Sequence, residues 1–306
     1  MILAIDIGGT AAKLGLLTPD GRILARREVS VCFDGYQTPI LDTVTAAAAA
    51  FIKDEKADIQ GIGVSATGQV DSRLGAVVGT NGKIPNYEGA PIKQALEARF
   101  GVPVHVLNDA NAAALGECFA GAGQGYQDVL MITLGTGVGG GLVLNGRLYG
   151  GSRGLAGELG HFTLYQDGVP CACGKRGCYE CYAATTALVR RAGVENGRIL
   201  FQRVQAGDAA MQEALDAWLD DVAAGITGLV HIFNPQLVLI GGGVSAQEEL
   251  LVAPLRRRVL GGVMPRFAEG LRLERATLGN DAGMIGALKF WLDCENIAGE
   301  RGRAFF

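Results

Sequence analysis

Two Gly-Thr turns, an Asn-Asp pair and a His/Cys cluster are the residues whose types and spacing could do chemistry. Ile5-Asp-Ile-Gly-Gly-Thr10 and Ile132-Thr-Leu-Gly-Thr-Gly137 each place glycine and threonine at the end of an apolar run. Glycine lets backbone N–H groups approach an anion closely, so Gly8, Gly9 and Thr10, or Gly135, Thr136 and Gly137, can hold phosphate oxygens by amides plus a hydroxyl. Either turn alone reads equally well as an ordinary hairpin. Taken together, with Asp6 before the first, Lys13 after it and Thr133 before the second, they point to the phosphates of a nucleotide. Neither fits the Walker pattern, since no Gly-Lys-Ser/Thr is present and each turn leads into a strand. Gly241, Gly242 and Gly243 end another apolar run, where a base or ribose could lie against bare backbone; a plain strand-to-helix turn reads the same.

Asn108-Asp109 stands between a strand and an alanine-rich helix. An aspartate there is either a helix N-cap or a base, and two cap-capable residues in a row weaken the first reading. Phosphoryl transfer to an alcohol needs a carboxylate to take the hydroxyl proton, and a helix N-terminus is expected to keep it ionised. His161, Cys171, Cys173 and Cys178 follow the pattern H-x9-C-x-C-x4-C, one imidazole and three thiolates, which completes a tetrahedral zinc shell. Cys181 in place of His161 would give an all-cysteine site. Glu158 and Glu180 flank the cluster, so a closed zinc site would fix both carboxylates on one rigid loop.

The elements that must position these residues alternate in type. Three short strands form an opening meander, ending near residue 27, and Thr38 is expected to cap a helix that begins at Pro39 and runs to about Lys53. A strand over 59–65, a helix over 91–100, a strand over 104–107 and the helix opening at Asn108 follow, an α/β pattern with a mixed sheet. A second meander begins 127 residues after the first, and Asp20-Gly21 and Asn145-Gly146 supply matching turns. The chain reads as a duplicated half, with the boundary near 119–125, a long helix over 215–233, a strand into Gly241, and a last helix from Asp281.

At 306 residues the chain suffices for two domains, and two domains suggest a cleft with one Gly-Thr turn on each side. A net charge of -4 with no run of like charge makes nucleic acid and membrane surfaces poor partners. A strand starting at Ile2 leaves no room for a leader, and the longest apolar stretch, 129–144, is broken by glycines, so a cytoplasmic protein with no membrane helix is expected. Four of the seven cysteines fall within residues 171–181, which in this setting reads as metal before disulfide.

The sequence resembles the ROK family of sugar kinases and repressors, within the actin-like, hexokinase-like ATPases. The resemblance is carried by Asp6-Ile-Gly-Gly-Thr10, by 107–117, by Leu134-Gly-Thr-Gly-Val-Gly-Gly-Gly141, by Gly157-Glu-Leu-Gly-His161 and by Cys171-Ala-Cys-Gly-Lys-Arg-Gly-Cys178-Tyr-Glu180. It implies a duplicated, ribonuclease H-like fold with domains at 1–118 and 119–280 and residues 281–306 packing back on the first. It implies ATP, Mg²⁺ and a structural Zn²⁺ held by His161, Cys171, Cys173 and Cys178. It makes Asp109 the catalytic base, places Asn108, Glu158, His161 and Glu180 on sugar hydroxyls, and puts Gly68 and Asn86 against the sugar. Where many relatives carry Asn-Leu-x-x-Trp, this chain has Ile84-Pro-Asn-Tyr-Glu-Gly89.

The implied function is phosphorylation of the 6-hydroxyl of glucose or a close relative by an enzyme that assembles as a dimer or tetramer. N-acetylmannosamine or β-glucoside kinases are the nearest alternatives. A sugar-responsive repressor is the alternative from another class, and the absence of an N-terminal helix-turn-helix pattern and of basic excess argues against it. A sugar-binding protein without catalysis is a third, against which Asp109 speaks.

Overall fold

The computed structural model describes residues 1–80 and 84–299. The described residues divide into two compact units: Met1–Gln124, Leu148–Ala156 and 280–299 form unit 1, and Gly125–Arg147 with Gly157–Gly279 form unit 2.

Unit 1 opens with β1 (Ile2–Ile7), β2 (Ala11–Leu17) and β3 (Ile23–Ser30) as an antiparallel meander. β3 alternates half-buried and exposed positions as an edge strand should, whereas β1 is buried almost throughout. Then come α1 (Ile40–Asp54), β4 (Gly61–Ala66), a small hairpin of β5 (Gln69–Asp71) and β6 (Ala76–Gly79), α2 (Ile92–Phe100), β7 (Val104–Asn108) and α3 (Asp109–Ala120). β4 pairs parallel with both β1 and β7, which gives the sheet order β3-β2-β1-β4-β7. α1 buries Ile40, Val44, Ala48 and Phe51, a stripe of helical period. Thr38 does not cap it. The Thr38 amide and hydroxyl both donate to Asp34 Oδ2, at 2.9 and 2.7 Å, so the helix starts after Pro39 without a side-chain cap.

Unit 2 repeats the plan. β8 (Val129–Leu134), β9 (Val138–Leu144) and the short β10 (Arg147–Leu148) lead into α4 (Glu180–Ala183), α5 (Thr185–Ala192), α6 (Gly197–Gln205), α7 (Ala209–Phe233), β11 (Leu237–Gly241), α8 (Ala253–Gly262), α9 (Pro265–Ala268) and β12 (Arg272–Arg275). The sheet order β10-β9-β8-β11-β12 matches that of unit 1 position for position. Asn145 and Gly146 both take positive φ, 52° and 73°, the backbone that an Asn-Gly hairpin turn selects. α7 begins six residues before the expected Leu215 because Asp208 accepts the Ala210 and Met211 amides and caps it. Its buried face, including Trp218, Val222 and Ile226, lies in one core with β8 and β11.

Residues 148–156, expected with the C-terminal half, cluster with unit 1 instead. Leu148 packs on the cluster of Leu107, Ala112 and Leu115, and Asn111 Nδ2 donates to Ala156 O at 3.1 Å. The chain then returns as α10 (Ala282–Gly299), which lies on β4 and α3. Glycine makes that approach close. A methyl at Gly63 would collide with Ala287 O, at Gly61 with the Trp291 ring, at Gly116 with Ala282 O, and at Gly286 with Ala112 O. Trp291 Nε1 donates to Pro103 O at 3.1 Å, and His105 Nε2 lies 2.8 Å from Glu295 Oε1. Among the described residues, no helix is long and apolar enough to cross a membrane.

Gly63→Ala should therefore destabilise unit 1 by about 1–3 kcal/mol through overpacking. Gly228→Ala, on an open stretch of α7 with nothing within 4 Å, should be neutral or stabilising. Thermal unfolding of the two variants checks this: equal behaviour would mean that α10 does not depend on close approach.

Candidate active site

In unit 1 the chemistry gathers at the C-terminal ends of β1, β4 and β7. Asp6 near the end of β1 accepts a hydrogen bond from Ser65 Oγ at 2.7 Å and lies 3.6 Å from Lys13 Nζ on β2. The first turn of α10 abuts it, since a methyl on Gly283 would fall 2.6 Å from Asp6 Oδ1. That places the positive end of a helix dipole beside the carboxylate. Gly8, Gly9 and Thr10 form the turn between β1 and β2, closed by the Gly8 amide donating to Ala11 O at 2.9 Å.

Asn108, not Asp109, caps α3: its Oδ1 accepts from the Ala110 and Asn111 amides at 2.9 and 3.2 Å. Its Nδ2 donates to Gly68 O and to Asp109 Oδ1, each at 2.9 Å. Gly68 has φ 92°, and a methyl there would lie 2.9 Å from Gly79 O, so only glycine presents that carbonyl to Asn108. Burial first, and the Asp6 charge second, raise the Asp109 carboxyl to a pKa of about 6, against the opposing hydrogen bonds from Ala110, Thr67 and Asn108. The helix terminus does not win here; the carboxylate is ionised at neutral pH but poised close to titration. Its Oδ1 shares the Ala110 amide with Asn108, at 2.8 Å, and a group so tuned is suited to accept a proton. Asn86 sits exposed at φ 57°, with Nδ2 3.4 Å from Tyr36 O.

In unit 2 the His161, Cys171, Cys173 and Cys178 ligand atoms all lie within 4.8 Å of one another. Cys173 Sγ is 3.5 Å from Cys178 Sγ, and Cys171 Sγ is 3.7 Å from His161 Nδ1. A tetrahedron with zinc–sulfur bonds of about 2.3 Å has edges of about 3.8 Å, so the donor set and its spacing fit that ion. Burial, and hydrogen bonds shared with the neighbouring thiols, push the Cys178 thiol up to about 12. Cys181 lies outside this set but beside it: its Sγ is directed to Pro170 O at 3.7 Å, and burial first, then a hydrogen bond with Cys171, raises its thiol to about 11. His161 turns Nδ1 to the cysteines and Nε2 to Glu158, 3.8 Å from Oε2. A metal on Nδ1 would leave the proton on Nε2, making it a fixed donor. Desolvation, then Glu180, raise the Glu158 carboxyl, and His161 lowers it.

Glu180 Oε2 accepts the Val138 amide at 3.0 Å, and a methyl on Gly137 would collide with that oxygen. Gly137 thus serves the seating of Glu180. Gly135, Thr136 and Gly243 line a groove of 1090 Å³ together with residues of α5 and α6. Gly241 and Gly242 do not line it. Gly241 is the buried end of β11 beside Thr133, and Gly242, at φ 88°, presses on Leu134 O. Only Gly243 offers the open backbone expected of all three. Sequence reasoning missed Thr185, Thr186, Asn196, Phe201 and Gln205 on the groove walls. The Asn196 cap of α6 was the one available signal, since its side chain accepts the Ile199 amide.

The two matching sheets, each with a Gly-Thr turn after its central strand, define a duplicated actin-like ATPase fold. The chain matches the ROK family over residues 2–294 and belongs to it. It is 36% identical over 308 aligned positions to a glucokinase of Halalkalibacterium halodurans, covering 93% of this chain and 92% of that one. It is 34% identical to a β-glucoside kinase of Listeria monocytogenes, covering 96% and 98%. Among solved structures, the Streptomyces griseus ROK glucokinase in complex with glucose and AMPPNP superposes with a TM-score of 0.79 at 33% identity, covering 94% of this chain and 98% of that one.

The raised Asp109 pKa has a consequence for stability. Between the unfolded value of about 3.9 and the folded value of about 6, the native state holds more protons than the unfolded one, so stability falls as pH rises through that window. Asp109→Asn keeps the shape and removes the charge. It should raise the melting temperature at pH 7.5, with the gain shrinking towards pH 4; a variant less stable than wild type at pH 7.5 would contradict the assignment.

Proposed function

We propose that this chain is a sugar kinase that transfers the γ-phosphoryl group of ATP to the 6-hydroxyl of glucose or a closely related hexose, with Asp109 as general base. The observation that carries the reading is Asp109 itself: half-buried and partly relieved of capping by Asn108, it accepts the Ala110 amide at 2.8 Å and is still raised to about 6. Glucokinase and β-glucoside kinase relatives support the activity class. Phosphoryl transfer asks little covalent chemistry of a protein beyond positioning and charge stabilisation. The turns at Gly8-Gly9-Thr10 and Gly135-Thr136-Gly137 hold phosphate oxygens, with Asp6, Lys13 and Thr133 beside them, and Mg²⁺ enters with ATP. Gly243 and the groove walls take the nucleoside. Gly68, Asn86, Asn108, Glu158, His161 and Glu180 hold the sugar through its ring hydroxyls, which leaves the exocyclic 6-hydroxyl, the least hindered, for Asp109. The substrate is glucose or a near analogue, with a β-glucoside as the alternative that the Listeria relative supports. A homodimer or tetramer in the cytoplasm completes the proposal.

Zinc in the His161, Cys171, Cys173 and Cys178 set supplies no chemistry to the transfer; it locks the segment bearing Glu158 and Glu180. Elemental analysis should find one zinc per chain. Cys178→Ser should lose zinc and sugar affinity together, while Cys181→Ser should keep both; zinc loss in the second variant would overturn the ligand set.

A coupled ADP-release assay over a sugar panel tests the activity. Asp109→Asn should lower kcat about a hundredfold or more, since general base catalysis contributes about 10²–10⁴-fold. Phosphorus NMR of the glucose product should show a 6-phosphate. A 1-phosphate, or turnover of 6-deoxyglucose at the rate of glucose, would exclude this regiochemistry.

A further inference from the structure

Tyr36 has no role in the site as described, yet it is held in a conformation that bulky side chains avoid. Its φ is 65°, in the left-handed region where an aromatic residue is a genuine outlier. Such strain persists only where surrounding contacts impose it, and it concentrates where function requires a fixed geometry. Packing of its ring on the unit 1 core and two hydrogen bonds hold it there. The phenol donates to Gly9 O at 2.7 Å, on the first glycine turn, and the backbone carbonyl faces Asn86 Nδ2 at 3.4 Å, in the loop over 84–89. The same loop lies beside the turn, since a methyl on Gly9 would come 3.6 Å from Ile84 Cδ1. Asn86 is itself at φ 57°. Thr38 and Asp34 close the Tyr36 segment from the other side through their own hydrogen bonds and do not reach either contact.

The fixed phenol acts on a carbonyl whose neighbouring amides are the phosphate-binding groups. The fixed carbonyl acts on the side chain that meets the sugar. We propose that Tyr36 is a positioning residue that ties the nucleotide turn to the sugar loop, so that the geometry of each depends on the other. This rests on the kinase reading above and deepens it, because it assigns to one residue outside both ligand sites a joint effect on the two substrates.

The test is Tyr36→Phe in the full chain, with KM for ATP, KM for the sugar, kcat and melting temperature measured together. Loss of one neutral hydrogen bond implies a shift of about threefold or more. Both KM values should rise, although the lost bond touches only the nucleotide turn. Tyr36→Gly accepts φ 65° without strain and lacks the phenol, and should raise the same two constants, with a melting temperature lowered by the loss of the ring's packing on the unit 1 core. Thr38→Val, which loosens the same segment through Asp34, should leave both KM values within about twofold. A rise in the ATP constant alone in Tyr36→Phe would reduce Tyr36 to local support of the turn and overturn the proposal. So would unchanged constants, or Thr38→Val reproducing both shifts. Wild type that phosphorylates no sugar would instead overturn the kinase reading, and this inference with it.

Discussion

The partial burial of one carboxylate governs the arrangement of unit 1. Asp109 would cap α3 if nothing else did, and a capping carboxylate is spent on amides. Asn108 takes most of that duty, turns its amide onto Gly68 O and Asp109 Oδ1, and leaves Asp109 with one backbone amide, that of Ala110, partly desolvated beside Asp6. The two carboxylates repel. Lys13, Ser65 and the first turn of α10 offset the Asp6 charge, so the burden of desolvation falls on Asp109.

That arrangement holds only while α10 stays close. The helix reaches β4 and α3 through Gly61, Gly63, Gly116 and Gly286, where a single methyl would push it away. Packing at this distance gains dispersion. The same contacts fix the axis of α3, and with it the Asp109 side chain at its first turn. Unit 2 uses a different device: a compact His/Cys cluster joins the segments that carry Glu158 and Glu180, where unit 1 relies on glycine and a helix.

Much of the fold was legible in the sequence because its signals are local. The meanders follow from apolar runs broken by glycine, and the Asn145-Gly146 turn from the two positive φ values that this dipeptide favours. The zinc-type cluster follows from spacing, and the structure brings the four ligand atoms together. What was not legible depends on tertiary partners. Asp34 draws Thr38 away from capping α1. Gly241 and Gly242 read like Gly243 in sequence but are consumed by packing against Met131 and Leu134. The walls of the groove come from α5 and α6, whose threonines, asparagine and glutamines carry no motif. Residues 148–156 read as part of the second half, and only their contacts with Leu107 and Asn111 place them in unit 1.

The central claim is that Asp109 is a base poised by desolvation, and the pH dependence of kcat/KM for the sugar reports such a group in the enzyme form that binds it. With glucose and saturating ATP, the wild type should show a single-proton acid limb with a midpoint near the Asp109 pKa of about 6, activity falling below it. The residual activity of Asp109→Asn should lack that limb. A wild-type profile flat from about pH 5 to 8, or the same limb surviving in the variant, would contradict the account.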